Sequence, residues 1–296
     1  MKNLWNEQEA SSYVGDLAQR VYSSRLLGRE PALVLHGGGN TSVKVTENNI
    51  LGEPEEILYV KGSGWDLESI EAGGFAPVRM APLLKLAGLE RLSDPQMVNE
   101  LRTRMTRATA PAPSVETILH AILPYKYVDH THADAVVTVT NTADGEQRIR
   151  DIYGDSVVII PYTMPGFDLA RVCAELFPRQ AGPETLGMVL LNHGIFSFGA
   201  TAREAYQRMI ELVSKAEACL QAQQAWDLPR SAVPAAQPVD PVAIAQLRRD
   251  VSDCAGFPVI LRLTTDEQSL DFANRTDLAA VSQQGPVTPD HVIRTK

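Results

Sequence analysis

Residues 113–140, PSVETILHAILPYKYVDHTHADAVVTVT, determine which fold we predict for this chain. The first part, PSVETILHAILP, is typical of a short helix that Ser114 caps, because a serine hydroxyl can accept hydrogen bonds from the free amides of a first helical turn. The second part, VDHTHADAVVTVT, begins as a strand and ends as either strand or helix, since periodicity alone does not separate the two. The stretch therefore predicts a helix that leads through one short loop into a strand.

Helices and strands alternate in the same way on both sides of this stretch. Alternation of this kind indicates helices packed on a central β-sheet. We therefore predict an α/β fold, in which one layered domain is followed by a C-terminal extension. The other predicted elements are an amphipathic helix to about Leu27, β-rich runs in PALVLHGGGNTSVKV and EEILYVKGSG, two helices in Met80–Ala108 broken near Ser93-Asp94-Pro95, a buried strand in SVVIIPY, a helix over Asp168–Phe177, a strand pair in GMVLLNHGIFSFG that turns at Gly194, and a long helix over Thr201–Trp226.

A proline-rich segment divides the chain. Residues 228–241 contain four prolines and few large apolar side chains, which is typical of a linker. The layered domain is therefore predicted to cover residues 1–227, and residues 242–296 form the extension. The extension is predicted to contain a helix, one strand in PVILRL and an irregular tail, and it is too short to bury a substantial core alone. In that tail, His291 and Arg294 are predicted to be surface residues.

The composition is that of an ordinary globular protein of 296 residues, with 44% hydrophobic and 21% charged residues. The net charge of -9 gives no electrostatic reason to bind a nucleic acid backbone or an anionic membrane, so we predict neither as a partner. The N-terminus carries acidic residues where a signal peptide needs an apolar run, and no run of about 18 apolar residues occurs, so a cytoplasmic location is predicted. The three cysteines show no CxxC spacing, which argues against a disulfide framework.

His130-Thr131-His132 is the most specific local pattern. Side chains two apart on a strand project from one face with Cα atoms roughly 6 to 7 Å apart, so both imidazoles can reach one ion at roughly 2.1 Å. Alternatively, the two histidines are polar residues on a solvated strand face. The apolar flanks favour a buried position, where polar groups need partners, and Asp129 or Asp134 could orient the rings.

A third histidine, His193, lies in LLNHG at the end of another predicted strand, before a glycine that permits a sharp turn. Three histidines and an open coordination position are the usual composition of a catalytic zinc site, whereas structural zinc sites have four protein ligands. His130, His132 and His193 are therefore predicted to bind a divalent metal ion.

Glu116, in PSVETILH, is the candidate general base. It lies in the first turn of the helix before the HTH strand, and burial beside a metal would tune its pKa for proton abstraction. Alternatively, its carboxylate only complements the dipole at the helix N-terminus. His120, one turn further along the same helix, is predicted to be a packed or hydrogen-bonded histidine and not a metal ligand.

Two glycine-rich loops are candidates for binding an anion. His36–Ser42, HGGGNTS, offers bare backbone amides and small polar side chains after an apolar strand, and Lys61–Gly64, KGSG, adds further donors and a positive charge. The first loop is not a Walker A loop, because the Gly-Lys-Ser/Thr ending is absent, and no GxSxG elbow accompanies its HGGG sequence. Considered separately, each of these glycine-rich sequences more often forms a tight turn that binds no anion.

Five motifs, GGGNTS, KGSG, SVET, HTH and NHG, occur in this order between Gly37 and Gly194, and together they resemble the class II aldolase and adducin family. The resemblance implies a class II aldolase-like layered domain, zinc or another divalent metal on the three histidines, and Glu116 as acid/base. It also implies a homotetramer, with active sites at subunit contacts. The residues that it places on a substrate phosphate are Asn40, Thr41, Ser42, Ser63, Gly64 and Ser114.

Two longer patterns, PSVETILHAILPYKYVDHTHADA and NRTDLAAVSQQGPVTPDHVIRTK, look like the aldolase portion of chains in which a short-chain dehydrogenase domain follows a rhamnulose-1-phosphate aldolase. This likeness implies a small-molecule sugar phosphate as substrate. It also implies cleavage of a ketose 1-phosphate, of the rhamnulose or fuculose 1-phosphate type, into dihydroxyacetone phosphate and an aldehyde. A sugar-phosphate 4-epimerase and a non-catalytic adducin-like interaction module are the alternatives. The family's tyrosine proton donor matches no motif, and Tyr153 and Tyr162 are the nearby candidates.

Overall fold

The computed structural model of the chain describes residues 1–226, 239–288 and 290–293. The chain divides into two compact units: Met1–Gln224 together with Pro286–Lys296 forms the first, and Ala225–Gly285 forms the second. The sequence instead assigns the last residues to the C-terminal extension. All of the residues predicted to form the site belong to the first unit.

One seven-stranded sheet forms the centre of the first unit. Its strands are β1 (Asn40–Asn48), β2 (Pro54–Lys61), β3 (Phe75–Arg79), β4 (Tyr127–Thr131), β5 (Val157–Ile160), β6 (Gly187–Leu190) and β7 (Gly194–Gly199). They lie in the order β3-β2-β1-β4-β7-β6-β5. Neighbouring strands are antiparallel except β5 and β6, which are parallel. The order places β4 in the middle of the sheet, between β1 and β7.

Helices cover both faces of this sheet. In the described residues, the α-helices are α1 (Glu7–Ala10), α2 (Asp16–Gly28), α3 (Met80–Leu86), α4 (Asp94–Thr103), α5 (Thr117–Ile122), α6 (Asp134–Thr140), α7 (Gly145–Tyr153), α8 (Phe167–Gln180), α9 (Ala202–Ala222), α10 (Pro241–Ala255), α11 (Glu267–Ala273), α12 (Leu278–Val281) and α13 (Asp290–Ile293). One core packs α2, α6, α7 and α9 against the sheet, and the other packs α3, α4, α5 and α8. The predicted α/β layered domain is confirmed.

The alternation of strand side chains supplies both cores. On β6, Met188 and Leu190 belong to the core with α3, α4, α5 and α8, whereas Val189 belongs to the opposite core. Successive strand residues point to opposite faces, so a continuous apolar run is what a strand covered on both sides requires. The short apolar runs in SVVIIPY and GMVLL therefore form β5 and β6, as predicted.

The segment before β1 differs from the prediction. PALVL forms turns, and the strand begins only at Asn40, after the glycines. Leu33 and Val34 are nevertheless buried, because they pack into the core that contains α2 and α9. Gly39 has a φ of +57°, which allows the chain to turn into the strand. The HGGG loop therefore leads into a strand instead of following one.

The stretch after His132 forms a helix. β4 ends at Thr131, and the valine-rich ADAVVTVT becomes α6, although β-branched residues favour strands. Val136 and Val139, three positions apart, are both buried in the core with α9, which is the spacing of one helical face. Packing therefore outweighs the local preference, and the polypeptide turns away from the sheet directly after the histidine pair.

The second unit contains α10, α11 and α12. The predicted strand PVILRL, residues 258–263, does not form, and Ile260 is 94% exposed. A strand is stabilised by a neighbouring strand, and none pairs with this segment in the described residues. Of the predicted linker 228–241, residues 228–238 lie outside the described residues, and Pro241 begins α10. Among the described helices, none combines the length and the apolar composition that crossing a membrane requires.

Candidate metal centre and active site

The middle of the sheet brings the three predicted histidines together. His130 lies on β4, His132 follows the end of β4, and His193 lies in the turn between β6 and β7. β4 and β7 are paired, with His130 opposite Phe196. All three histidines are buried, and one ring nitrogen from each lies within 4.8 Å of the others. Two separate segments of the chain thus deliver three imidazoles to one point.

The hydrogen bonds of His130 and His132 fix which nitrogen faces that point. His130 Nδ1 lies 3.1 Å from the carbonyl oxygen of Ile195, and His132 Nδ1 lies 2.5 Å from Asp290 Oδ1. A carbonyl or carboxylate oxygen accepts, so each Nδ1 donates its hydrogen, and a neutral ring then carries its lone pair on Nε2. The two Nε2 atoms are 3.1 Å apart. Two ligands of a tetrahedral zinc ion, each at about 2.1 Å, are about 3.4 Å apart, which is close to this separation.

Burial favours the neutral form of His130 and His193. Loss of solvent, reinforced by the neighbouring His132 and His193, holds the pKa of His130 well below its ordinary value. The pKa of His193 is also lowered, because the effect of burial is larger than the opposing effect of the nearby Glu116 carboxylate. Because a metal binds the deprotonated imidazole nitrogen, a lowered pKa keeps the ligands available at neutral pH.

The three histidines fit a divalent metal ion. Two nitrogen lone pairs 3.1 Å apart repel each other unless a proton or a cation lies between them. His193 Nδ1 is buried and has no hydrogen-bond partner in the described part of the chain, which is unusual for a buried polar atom. Three nitrogen ligands suit zinc and leave a coordination position for a substrate.

Gly194 allows β7 to approach the histidine pair closely. A Cβ atom here would overlap the carbonyl oxygen of Thr131 and would lie 3.0 Å from His130 Cε1. We expect Gly194→Ala to lower the free energy of unfolding by about 1–3 kcal/mol, as overpacking does in cores. Calorimetry of the metal-free protein measures this loss. Gly182→Ala is the matched control, because a Cβ atom there meets no atom within 4 Å. A wild-type melting temperature for Gly194→Ala would show that the site tolerates a side chain at this position.

Glu116 lies beside the histidines. It is the N-cap residue of α5, and 5% of its side chain is exposed. Its Oε2 accepts a 2.6 Å hydrogen bond from Asn40 Nδ2 and lies 3.5 Å from His130 Nε2. Its Oε1 lies 3.6 Å from His193 Nε2 and accepts no hydrogen bond from the described residues. One carboxylate oxygen is therefore fixed, and the other is available to exchange a proton.

His120 holds Asn40 in place. Because Asn40 Nδ2 donates to Glu116, its Oδ1 faces His120 and accepts a hydrogen bond from His120 Nε2. His120 Nδ1 then accepts a 2.7 Å hydrogen bond from the Ser42 hydroxyl. Burial lowers the pKa of His120 to about 3, so the ring is neutral. The prediction that His120 is hydrogen-bonded is confirmed.

A cavity of about 270 Å³ opens beside Glu116 and the histidines. Lys61 lies on its wall, where Lys61 Nζ donates a 2.7 Å hydrogen bond to the carbonyl oxygen of Gly37. Bare glycine amides and small polar side chains form much of the lining, which is the composition predicted for an anion site. The lining residues are Gly37, Gly38, Gly39, Asn40, Lys61, Ser63, Gly64, Ser114, Val115, Glu116, His132, Pro165 and His193.

Thr41 and Ser42 do not line this cavity, contrary to the role implied by the family resemblance. Thr41 Oγ1 lies 2.8 Å from Ser24 Oγ, Ser42 Oγ bonds to His120, and both residues are fully buried. Successive strand residues point to opposite faces, so only part of the GGGNTS motif can face the site. The rest of the predicted phosphate set lines the cavity, and its role stays a prediction: Asn40, Ser63, Gly64 and Ser114.

The acceptors that orient the rings differ from those predicted. Strand alternation directs Asp129 to the opposite face of β4, where it forms a 2.5 Å ion pair with Arg20. Asp134 begins α6, and it is Asp290 that contacts His132. Asp290 is 158 residues away along the chain, so no local pattern could have linked the two.

The remaining candidates lie away from the cavity. The Tyr153 hydroxyl donates a 2.8 Å hydrogen bond to the carbonyl oxygen of Leu212 inside the core, and Tyr162 is 56% exposed. Neither tyrosine lines the cavity. In the tail, His291 is exposed, as predicted, and Arg294 lies outside the described residues.

The fold and the buried site define an α/β protein with three converging histidines and a neighbouring carboxylate at the centre of a mixed sheet. The chain belongs to the class II aldolase and adducin family. Residues 18–220 match the model described as the Class II Aldolase and Adducin N-terminal domain, and residues 238–296 match the model described as Aldolase class II, second domain.

Two curated proteins are similar to this chain. The Bacillus subtilis (strain 168) protein named "Uncharacterized oxidoreductase YuxG" is 31% identical over 310 residues, which cover 100% of this chain and 43% of that protein. The chain thus spans less than half the length of this relative. A methylthioribulose-1-phosphate dehydratase of Picosynechococcus sp. is 22% identical over 186 residues, which cover 56% of this chain and 77% of that protein.

Solved structures share the fold. The N-terminal class II aldolase domain of a conserved protein from Thermoplasma acidophilum is 44% identical with a TM-score of 0.68, and the match covers 74% of this chain and 99% of that one. A sugar-phosphate aldolase from Thermotoga maritima is 15% identical with a TM-score of 0.52, covering 75% of this chain and 98% of that one. The second likeness is one of fold alone.

Proposed function

We propose that this chain is a zinc-dependent class II aldolase, acting as a homotetramer. Its proposed reaction cleaves a ketose 1-phosphate of the rhamnulose or fuculose 1-phosphate type into dihydroxyacetone phosphate and an aldehyde. The observation that carries the proposal is the convergence of three buried imidazoles with the unbonded Oε1 of Glu116 beside a cavity lined by glycine amides. The class II aldolase domain from Thermoplasma acidophilum supports the reaction class, since it is 44% identical.

The cavity residues hold the phosphate in this proposal. The amides of Gly37, Gly39 and Gly64 and the hydroxyls of Ser63 and Ser114 belong to residues that line one cavity, and they can donate to phosphate oxygens, whereas the Gly38 amide already donates to the carbonyl oxygen of Leu35. Lys61 adds a positive charge to the same wall. Because the net charge of the chain is -9, attraction of an anion depends on this local group of donors. Binding of the phosphate then positions the carbon–carbon bond that breaks.

Glu116 moves the proton. Cleavage of the aldol removes one proton from the hydroxyl beside the breaking bond, and the three-carbon product takes up one proton at carbon, so one carboxylate can serve both steps. Asn40 fixes Oε2 and leaves Oε1 for this transfer. A divalent ion on the three imidazoles supplies a Lewis acid for the negative charge that develops on the substrate oxygens.

Two other enzyme activities and one non-catalytic role are the alternatives to this proposal. A 4-epimerase breaks the same bond and recloses it on the other face. A dehydratase is favoured by the similarity to methylthioribulose-1-phosphate dehydratase, although that relative is only 22% identical. A non-catalytic adducin-like module would have no physical need for three buried imidazoles and a buried carboxylate at one point.

Product analysis separates these activities. We expect the zinc-loaded 296-residue chain to release dihydroxyacetone phosphate and lactaldehyde in equal amounts from rhamnulose 1-phosphate or fuculose 1-phosphate. A coupled dehydrogenase assay detects each product, and metal-stripped protein is the control. Conversion of the ketose to its C4 epimer without free aldehyde would identify an epimerase. A product lighter by one water would identify a dehydratase, and turnover of neither substrate by metal-loaded protein would favour the interaction module.

A further inference from the structure

The C-terminal segment of the first unit places a carboxylate against the histidine cluster. Asp290, at the start of α13, is 2% exposed. Its Oδ1 accepts the 2.5 Å hydrogen bond from His132 Nδ1, and its Oδ2 accepts a 2.8 Å hydrogen bond from the backbone amide of Leu35. Both carboxylate oxygens are therefore occupied, one by the cluster and one by the loop that leads into β1.

The glycine loop provides the space for this carboxylate. A Cβ atom on Gly38 would overlap Asp290 Oδ1. Gly38 has no positive φ, so the absence of a side chain here serves the close approach of Asp290 and not an unusual backbone angle. Thr288, two residues before Asp290, is also buried and bonds to His291. Thr288 and Asp290 are thus both packed inside the protein, so the contact does not depend on a side chain that extends from an exposed backbone.

Asp290 lies behind His132 and not at the point where the histidines converge. It bonds to Nδ1, whereas His132 Nε2, on the other side of the ring, faces His130 Nε2 at 3.1 Å. Among the described residues, the group able to hold one ion consists of the three histidines and does not include Asp290. Asp290 is therefore placed to act through His132.

We propose that Asp290 is a positioning residue of the metal centre, and that the start of α13 is therefore part of the active site. By accepting the Nδ1 hydrogen, Asp290 selects the tautomer whose lone pair is on Nε2, fixes the ring plane, and makes Nε2 a stronger donor to the metal. The inference rests on the proposed metal-dependent function and adds to it a residue from a distant part of the chain.

Metal affinity tests this role independently of turnover. We expect Asp290→Asn in the 296-residue chain to bind Co²⁺ and Zn²⁺ about 10- to 100-fold more weakly, which is the usual effect of losing a hydrogen-bond partner of a metal-binding histidine. Asparagine cannot replace both contacts, because its amide nitrogen would face a donor at His132 or at Leu35. Metal-stripped protein is titrated with Co²⁺, followed by its visible absorption, and Zn²⁺ is measured by competition with a chelator. Asp155→Asn, at an exposed aspartate, is the matched control and is expected to bind as the wild type does.

Gly38→Ala provides a second, independent variant. It excludes the Asp290 carboxylate by steric overlap without removing it, so it is expected to weaken Co²⁺ binding by a similar factor. The double variant Gly38→Ala, Asp290→Asn is expected to bind Co²⁺ with the affinity of the single variant that has the lower affinity. Both substitutions remove the same contact between Asp290 and His132, so their effects should not add. If one of the two single variants folds poorly, the Co²⁺ affinity of the other still tests the contact.

The outcomes separate this inference from the proposed function. If Asp290 is only a tether, Asp290→Asn and Gly38→Ala lower the melting temperature of the metal-free protein but bind Co²⁺ as tightly as the wild type. That result overturns the positioning role and leaves the metal-dependent function intact. If the wild type itself takes up neither Co²⁺ nor Zn²⁺, the metal-dependent function and the inference that rests on it are both wrong.

Discussion

His193→Ala is expected to remove the metal and with it nearly all catalytic activity. His193 is the one member of the cluster that comes from outside the HTH segment, and without it two nitrogens remain, fewer than a catalytic zinc site uses. A bound divalent ion stabilises developing charge by several kcal/mol, so kcat/KM should fall by roughly 10³-fold or more. Metal content of the purified variant, measured by mass spectrometry, should fall from one ion per chain to a small fraction.

Thermal unfolding provides a second measurement for the same variant. A ligand present at 100 times its Kd stabilises the folded state by about 2.7 kcal/mol, so zinc should raise the melting temperature of the wild type and leave that of His193→Ala unchanged. His36→Asn is the matched control for metal content. It removes an exposed imidazole, and asparagine tolerates the φ of 52° at this position. Full zinc content and unchanged turnover in His193→Ala would mean that the histidine cluster is not the metal centre.

The parts of the site that local sequence could predict are those set by local geometry. The HTH pair follows from the two-residue period of a strand, and the break between the two apolar runs around NHG predicts a strand pair. The turn itself lies at residues 191–193, with a positive φ at Asn192, and Gly194 is the first residue of β7. The same period leaves Thr41 facing away from the cavity, because the family motif does not state which residues of a strand point inward. Ser42 shows the remaining difficulty, since a hydroxyl near a site can be taken up by a neighbour such as His120.

The parts that sequence could not predict depend on long-range contacts. Asp290 reaches His132 across 158 residues, and Gly38, which makes room for it, was explained equally well as part of an anion loop. The valine-rich α6 was ambiguous because tertiary packing, not propensity, decides whether such a run forms a helix. The composition of PVILRL predicts a strand, yet a strand requires a partner, and no neighbouring segment pairs with it in the described residues.

Glu116→Gln is expected to separate proton transfer from metal binding. The variant keeps the size of the side chain, and its amide oxygen can still accept the hydrogen bond from Asn40 Nδ2. Its amide nitrogen then replaces Oε1 beside His193, and an amide cannot accept and return a proton at neutral pH. We expect kcat to fall by about 10²- to 10⁴-fold, the usual contribution of a positioned acid/base.

Metal content and KM distinguish this effect from damage to the site. Because the three imidazoles are unchanged in Glu116→Gln, zinc content should stay at the wild-type level, and KM should change by less than about threefold if phosphate binding dominates substrate affinity. Glu184→Gln, at an exposed glutamate, is the matched control. Loss of kcat with retained zinc assigns proton transfer to Glu116, because His193→Ala is expected to lose both together. If Glu116→Gln instead keeps a kcat within about twofold of the wild type, the carboxylate only caps α5 and another group carries the proton.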